Sequence, residues 1–310
     1  MTHKFFITGA TGFIGSNIIR VLVKQGHNVS ILTRNKKLNW RLNDIFQLLD
    51  IREGNILDTR VEKIIEQVRP DFIFHLASYG VLSREDNFST MVDTNIRGTA
   101  NLINAMKKTP PKLFINGSSS GEYGIKEKAM KETDFLAPIN DYGITKAAVT
   151  LYCQKEAIRN NLPIINFRLF TPYGYFEESN RLMPSVIRSA IKNEPIRVSD
   201  SKSVRDFIFI EDVVDAYLQA TKISLPKGEI FNIGTGKQHT VGEVVKTALR
   251  ESKSRSEVLW GTVQKQARFI EPDKWQADIS KIEKIMHWKP KYSLVDGIRK
   301  TIEWWKENDV

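Results

Sequence analysis

Thr8-Gly9-Ala10-Thr11-Gly12-Phe13-Ile14-Gly15 stands between two kinds of sequence. Before it lies a short apolar run, Lys4-Phe5-Phe6-Ile7-Thr8. After it, from about Gly12 to Gln25, apolar Ile14, Ile18, Val21 and Leu22 recur on one helical face. The glycines fall three residues apart. Gly9 permits a tight exit from a strand, Gly12 lets backbone approach a pyrophosphate, and Gly15 allows a helix to pack closely on the strand. A helix starting here offers free N–H groups and its positive dipole end to a diphosphate. Asn28–Arg34, containing Val-Ser-Ile-Leu-Thr, reads as a second strand. Strand, glycine turn, helix and strand make a βαβ unit. This context reads as a dinucleotide-binding turn rather than an ordinary loop.

The alternation continues outward. Phe72–Ala77 and Leu113–Gly117 read as short buried strands, with helical segments near 58–69 and 90–108. The pattern predicts an α/β fold, a Rossmann-type doubly wound parallel sheet with helices on both faces. After about residue 170 the pattern loosens: Pro172, Pro184, Pro195, Pro226 and Pro272 punctuate shorter elements, and Glu271–Val310 reads as helical and rich in Trp. The expected division is a dinucleotide-binding domain over 1–170 and a smaller C-terminal α/β substrate lobe over 171–310, interleaved with the last strands of the sheet.

Bulk properties narrow the function class. The 310 residues are 41% hydrophobic, 26% charged and 10% aromatic, as in an ordinary soluble globular protein. No apolar run approaches the roughly 18 residues needed to cross a bilayer, and the N-terminus shows no secretory pattern, so no membrane association and a cytoplasmic location are expected. Cys153 is the only cysteine, which excludes an intramolecular disulfide and fits a reducing compartment. The formal charge of +10 raises nucleic acid as a partner. The lysines are scattered and no zinc-finger, RRM or KH signature is present, so no nucleic acid is expected; a basic field equally suits a nucleoside diphosphate. The five histidines are scattered without metal-ligand spacing, and no metal is expected. His75, after an apolar strand, reads as a core or cleft-wall residue, and Trp288, Trp304 and Trp305 as core.

Two further patterns carry chemistry. The second strand ends in Thr33-Arg34-Asn35-Lys36-Lys37, with no acid until Asp44. An acid there accepts from the ribose 2′-hydroxyl of NAD, whereas Arg accommodates a 2′-phosphate. Arg34 therefore favours NADP(H), with NAD(H) possible; a solvated basic loop is the plain alternative. Tyr142-Gly143-Ile144-Thr145-Lys146 sets a phenol and an ammonium one helical turn apart. A neighbouring cation favours phenolate, so the Tyr can serve as acid or base toward a sugar hydroxyl or ketone. Ser119 is placed to hydrogen-bond the same oxygen. An exposed i,i+4 pair is the competing reading.

Together these stretches resemble the extended short-chain dehydrogenase/reductase family, in its sugar-nucleotide branch of NAD-dependent epimerases, dehydratases and reductases. The likeness spans nearly the whole chain: the glycine turn, His75-Leu76-Ala77, Asn95-Ile96-Arg97-Gly98-Thr99, Ser118-Ser119-Ser120-Gly121-Glu122-Tyr123-Gly124, Arg168-Leu169-Phe170-Thr171-Pro172-Tyr173-Gly174, Val204-Arg205-Asp206-Phe207-Ile208, Phe231-Asn232-Ile233-Gly234, Ala277-Asp278-Ile279-Ser280 and Trp288-Lys289-Pro290. It implies a catalytic set of Ser119, Tyr142 and Lys146. It implies a cofactor cleft formed by Gly9, Thr11, Gly12, Phe13, Ile14, Gly15, Arg34, Asn55, Ile56, Leu76, Ala77, Ser78, Asn95, Tyr142, Lys146 and Phe170. For a nucleoside-diphosphate sugar it implies contacts from Tyr79, Ser119, Ser120, Tyr142, Thr171, Arg181, Leu182, Arg205 and Arg268, the last two gripping the diphosphate. The family habit of pairing through two helices, one bearing Tyr142, implies a homodimer.

Departures from the family pattern bear on the reaction. Dehydratases carry an acidic pair just after the catalytic Ser or Thr; this chain has Ser120-Gly121, with Glu122 displaced by one residue and expected to point elsewhere, which disfavours dehydration. Thr171 stands where many 4-epimerases have Asn, Asn55 where an Asp often meets the adenine, and Arg181 where Asn is common. Two enzyme readings remain: reduction of the C4 ketone of a 4-keto-6-deoxy sugar nucleotide with NADPH, which the Ser-Gly-Glu-Tyr-Gly stretch and Arg34 favour, and 4-epimerisation with retained NAD+. A cofactor-binding protein without catalysis is a third.

Overall fold

Six short strands supply the frame: β1 (Lys4–Thr8), β2 (Asn28–Thr33), β3 (Asp50–Glu53), β4 (Phe72–His75), β5 (Leu113–Ser119) and β6 (Ile164–Leu169). In the computed structural model, which describes all residues except 36–38, 83, 264–272 and 309–310, these six pair in parallel. The strand Ile230–Ile233 adds to the β6 edge, giving the order Ile230–Ile233, β6, β5, β4, β1, β2, β3. The helices between them are α1 (Phe13–Lys24), α2 (Arg60–Val68), α3 (Phe88–Met91), α4 (Gly98–Met106) and α5 (Asp141–Arg159). The sheet is therefore the expected Rossmann type. β3 was not legible in the sequence because Asp-Ile-Arg-Glu has no apolar run; it forms as an edge strand that only β2 has to recruit.

Alternation along the strands divides the core in two. Phe6, Ile73 and Phe114 point to the face covered by Ile65, Leu102, Met106, Val149 and Cys153. Phe5, Phe72 and Phe74 point to the other, where Phe5 stacks on Phe72 at 5.1 Å and Phe74 meets Tyr217 edge-on at 5.2 Å.

The chain forms two compact units. The first comprises Met1–Gly124, Phe135–Leu169 and Val214–Phe231, and the second Ile125–Asp134, Phe170–Val213 and Asn232–Val310. Segment 125–134 belongs to the second because Met130 forms a parallel bridge with Ala277, its N–H donating to the Gln276 carbonyl at 2.8 Å. Inside the second unit the carboxylate of Asp206, wholly buried, accepts from Thr235 N, Thr235 Oγ1, Gly236 N and Ala277 N. This unit holds the helices α6 (Leu182–Lys192), α8 (Val241–Ser252), α9 (Ser280–Met286) and α10 (Leu294–Asn308), while α7 (Ile210–Ala220) runs from it back into the first. The continuous helical reading of Glu271–Val310 is corrected: among its described residues, helix occupies only α9 and α10. His287 adopts left-handed backbone at φ 49°, and Pro290 bars helix through its predecessor. Trp288 and Trp305 are buried. Among the described residues no helix is long and apolar enough to cross a membrane.

Gly15 is where α1 meets the strand exit. A methyl group there would lie 2.4 Å from the Gly9 carbonyl oxygen, a backbone atom held by the turn. Gly15→Ala should cost about 1–3 kcal/mol, read as a lowered urea midpoint at constant m-value; an unchanged midpoint would show that the turn gives way freely.

Candidate active site

In a parallel sheet every strand delivers its carboxyl end to the same edge, and between β1 and β4 the strand order reverses, the place where such sheets hold ligands. The loops leaving these two strands touch. Gly9 has φ +69°, and a Cβ on it would lie 2.4 Å from the Leu76 carbonyl carbon, so both conformation and contact demand glycine. The Ala77 N–H donates to Thr8 Oγ1 at 3.3 Å. The glycine turn thus packs directly on Leu76 and Ala77, with Ser78 and Tyr79 following.

His75 lies under this junction, 2% exposed. Its Nε2 meets Thr99 Oγ1 at 2.8 Å and its Nδ1 meets Thr8 Oγ1 at 2.7 Å. Thr99 gives its single hydrogen to the Asn95 carbonyl, so Nε2 carries the ring proton and Nδ1 accepts from Thr8. Burial, and then the charge of Lys146, depress the imidazole to about 3. His75 is a neutral structural link.

Asn95 sits in a π-helical stretch, Val92–Arg97, between α3 and α4. Its side chain accepts from Tyr79 N at 2.8 Å and donates to the Tyr79 carbonyl and to Thr145 Oγ1, both at 2.9 Å. Thr145 donates in turn to the Tyr142 carbonyl at 2.9 Å. One carboxamide thereby ties the loop after β4 to the helix that carries Tyr142 and Lys146.

α5 is capped by Asn140, which accepts from Gly143 N at 2.8 Å. Ser119 ends β5 half-buried, its Oγ accepting from Gly121 N at 3.1 Å. A Cβ at Gly143 would lie 2.5 Å from the Gly121 carbonyl oxygen. The turn that presents Ser119 and the helix turn that presents Tyr142 are therefore in backbone contact. Lys146 is 4% exposed and its Nζ donates to the Gly117 carbonyl at 2.5 Å, which removes the exposed-pair reading. Burial lowers its ammonium to about 8, opposed by the negative charge of Glu122.

Glu122 is fully buried. Its Oε2 accepts from Arg168 Nε at 2.7 Å, and its Oε1 accepts from Thr150 Oγ1 at 2.8 Å and from Ser118 Oγ. Arg168 also donates to Tyr123 Oη at 3.0 Å. The sequence alone marks Glu122 only as displaced from the dehydratase acid position, and gives Arg168 no role. Arg41 was missed altogether: it is 4% exposed, its guanidinium donating to the Thr11 carbonyl at 3.3 Å and lying over Trp40. That approach depends on how the chain folds back after β2, which no local pattern encodes.

Arg34 is exposed at the end of β2. Ile56 packs into the core, and the Asn55 carboxamide is engaged by the Leu57 N–H at 3.1 Å. Ser120 is buried beside Ser119. Five expected residues belong to the second unit. There Phe170 N donates to the Ile233 carbonyl at 3.0 Å, Thr171 pairs with Phe207, Arg181 is the N-cap residue of α6, Leu182 is its first residue, and Arg205 reaches the Val204 carbonyl at 2.6 Å. Arg268 lies outside the described residues.

The glycine turn fits a dinucleotide diphosphate. α1 begins at Phe13 after Gly12, an N-cap residue that makes no side-chain cap hydrogen bond, and the first-turn N–H groups of such a helix end suit a diphosphate. Residues 5–234 match the NAD dependent epimerase/dehydratase family. The chain belongs to this family. A UDP-glucose 4-epimerase of Lactobacillus helveticus is 27% identical, over 98% of this chain and 97% of that protein. A dTDP-glucose 4,6-dehydratase of Haemophilus influenzae is 28% identical, over 98% of each. The crystal structure of a UDP-glucuronic acid 4-epimerase from Bacillus cereus, in complex with UDP-glucuronic acid and NAD, superposes with a TM-score of 0.85 at 26% identity, covering 98% of this chain and 99% of that one. Family membership places the chain among the sugar-nucleotide enzymes of the extended short-chain dehydrogenases.

His75 yields a pH prediction. Its folded pKa of about 3 lies below the unfolded value of 6.5, so the unfolded chain binds the proton and stability falls as pH drops below 6.5. Between pH 6.5 and 5 this one group contributes a slope of up to about 1.4 kcal/mol per pH unit. His75→Gln should flatten the slope in urea titrations at several pH values; an equally steep slope in the variant would refute the assignment.

Proposed function

We propose that the protein is an NAD+-dependent 4-epimerase of a nucleoside-diphosphate sugar. The observation that carries this reading is the backbone contact between the turn presenting Ser119 and the helix turn presenting Tyr142, with Lys146 one turn on and the glycine turn at the same sheet edge. The relatives add to it: a UDP-glucose 4-epimerase matches almost end to end, and a 4-epimerase that binds NAD shares the fold.

Gly9, Gly12 and the first turn of α1 hold the dinucleotide diphosphate, and Leu76 and Ala77 wall the cleft. NAD+ held there would supply a reversible hydride acceptor for C4 of the sugar. Tyr142 removes the proton from the 4-hydroxyl as the ketone forms, and returns it when the sugar presents its other face. Ser119, having accepted from the Gly121 N–H, still has its own hydrogen to donate to that oxygen. Lys146, fixed on the Gly117 carbonyl, supplies a nearby positive charge that favours the tyrosinate. In the second unit, Arg205 and the start of α6 at Leu182 are the nucleotide contacts, Arg205 by its planar fork of donors.

One observation favours the reductase instead. Arg34 ends β2 where an acid would read the 2′-hydroxyl, which suits NADPH as a diffusible reductant for a 4-keto-6-deoxy sugar nucleotide. The purified protein decides between them. The epimerase should carry NAD+ released on denaturation and convert UDP-sugars or dTDP-sugars to their C4 epimers, followed by NMR. Absence of bound NAD+, with NADPH consumption on a 4-keto sugar nucleotide, would replace it by the reductase. Tyr142→Phe should lower kcat by about 10²–10⁴-fold while dinucleotide binding is kept; undiminished activity would favour a binding protein without catalysis.

The same helix proposes a homodimer. Ile144, Leu151 and Ile158 are 44%, 57% and 75% exposed at seven-residue intervals along α5, an apolar stripe that a second copy would cover. The double variant Leu151→Glu/Ile158→Glu is expected to sediment as a monomer where the parent sediments as a dimer; a parent that is monomeric at micromolar concentration sinks the idea.

A further inference from the structure

We propose that the buried Glu122–Arg168 pair is a positioning device for Lys146, with Glu122 supplying the negative charge that keeps this lysine protonated. The inference rests on the role given to Lys146 above and goes beyond it, to a residue that never meets the substrate.

The geometry is set by the sheet. Ser118 and Arg168 are partners in the parallel ladder of β5 and β6. The chain leaves β5 through the single turn Ser120–Glu122, which carries the Glu122 side chain back over that pair. The carboxylate then takes the Arg168 guanidinium on one oxygen and the Ser118 and Thr150 hydroxyls on the other. Thr150 lies one helical turn beyond Lys146 on α5. Ser118 follows Gly117, whose carbonyl receives the Lys146 ammonium. Carboxylate and ammonium are thus held by adjacent residues of one strand and successive turns of one helix.

The charges around Lys146 leave this role to Glu122. His75 on β4 is neutral and would repel the ammonium if protonated. Cys153 on α5 is buried, with its thiol raised by desolvation, and carries no charge at neutral pH. Tyr142 on the same helix is the group whose proton moves. Arg168 is engaged by Glu122 and Tyr123. Burial drives Lys146 towards the neutral amine, and the negative charge of Glu122 is the strongest influence in the other direction. A purely structural pair would hold β5 to β6 equally well but would leave the lysine's titration where burial puts it.

The test reads the lysine itself. In protein labelled with 15N-lysine, the Nζ resonance of Lys146 is assigned by its loss in Lys146→Met and followed against pH. Glu122→Gln should shift its titration down by about one pH unit, and Glu122→Asp, which keeps the charge, should leave it near the parent value. Because Glu122→Gln strands a buried guanidinium, Glu122→Gln/Arg168→Gln serves as the variant without an unpaired charge, and it should shift the titration down by less. A pKa lowered by one unit from about 8 leaves about a fifth as much protonated lysine at pH 8, so the alkaline limb of kcat should move down by the same unit. Titration at the parent pH in both Gln variants, or a kcat profile scaled down with its limb unmoved, overturns the proposal. A parent protein that epimerises no sugar nucleotide sinks the 4-epimerase instead, and the Nζ titration still decides the role of Glu122.

Discussion

An ammonium group taken out of water is among the most unfavourable things a folded chain can contain unless its donors and its charge are met. Lys146 is such a group, and much of the first unit is arranged around it. Its Nζ is received by the Gly117 carbonyl. The negative charge that opposes its neutralisation is Glu122, itself paired with Arg168 and bonded by hydroxyls. β5, α5 and β6 cannot move relative to one another without exposing one of these groups unpaired.

The sheet supplies the second constraint. Parallel pairing brings all carboxyl ends to one edge, and reversal of strand order at β1 and β4 opens a crevice there. What happens in that crevice depends on close backbone approach. Gly9 packs on Leu76 and Ala77, and Gly143 packs on Gly121. Both junctions bring main chains nearer than any side chain allows, so each glycine joins two loops rather than merely bending one. Asn95 adds the lateral tie, using its carboxamide oxygen and both amide hydrogens on Tyr79 and Thr145. The result is a preorganised wall, held by elements rather than by loops alone.

Several parts of this were readable from the chain and others were not. β1, β2, β4 and β5 announce themselves as short apolar runs, and α1 by its 3.6-residue period. β3 does not, since Asp50–Glu53 has no apolar run and owes its form to β2. The stretch from residue 271 onward reads as one helix because its Trp, Ile and Leu residues recur at helical spacing; the left-handed His287 and the restriction before Pro290 break it. The pattern of prolines after residue 170 marks a change of architecture but not its boundaries. Segment 125–134 joins the second unit through a bridge to Ala277, a partner remote in the chain.

What the sequence by itself determined are the features that near neighbours impose. The glycine turn, the strand before it, the helix after it and the one-turn spacing of Tyr142 and Lys146 follow from periodicity and backbone sterics over a few residues. What only the tertiary structure decided are the contacts between residues far apart in the chain. Strand register sets Arg168 opposite Ser118 and so beneath the turn that carries Glu122. The fold-back after β2 brings Arg41 to the Thr11 carbonyl. Burial turned Lys146 from a surface cation into a group whose charge depends on its neighbours. Such effects belong to solvent exclusion and long-range geometry, and a linear string of residues carries neither.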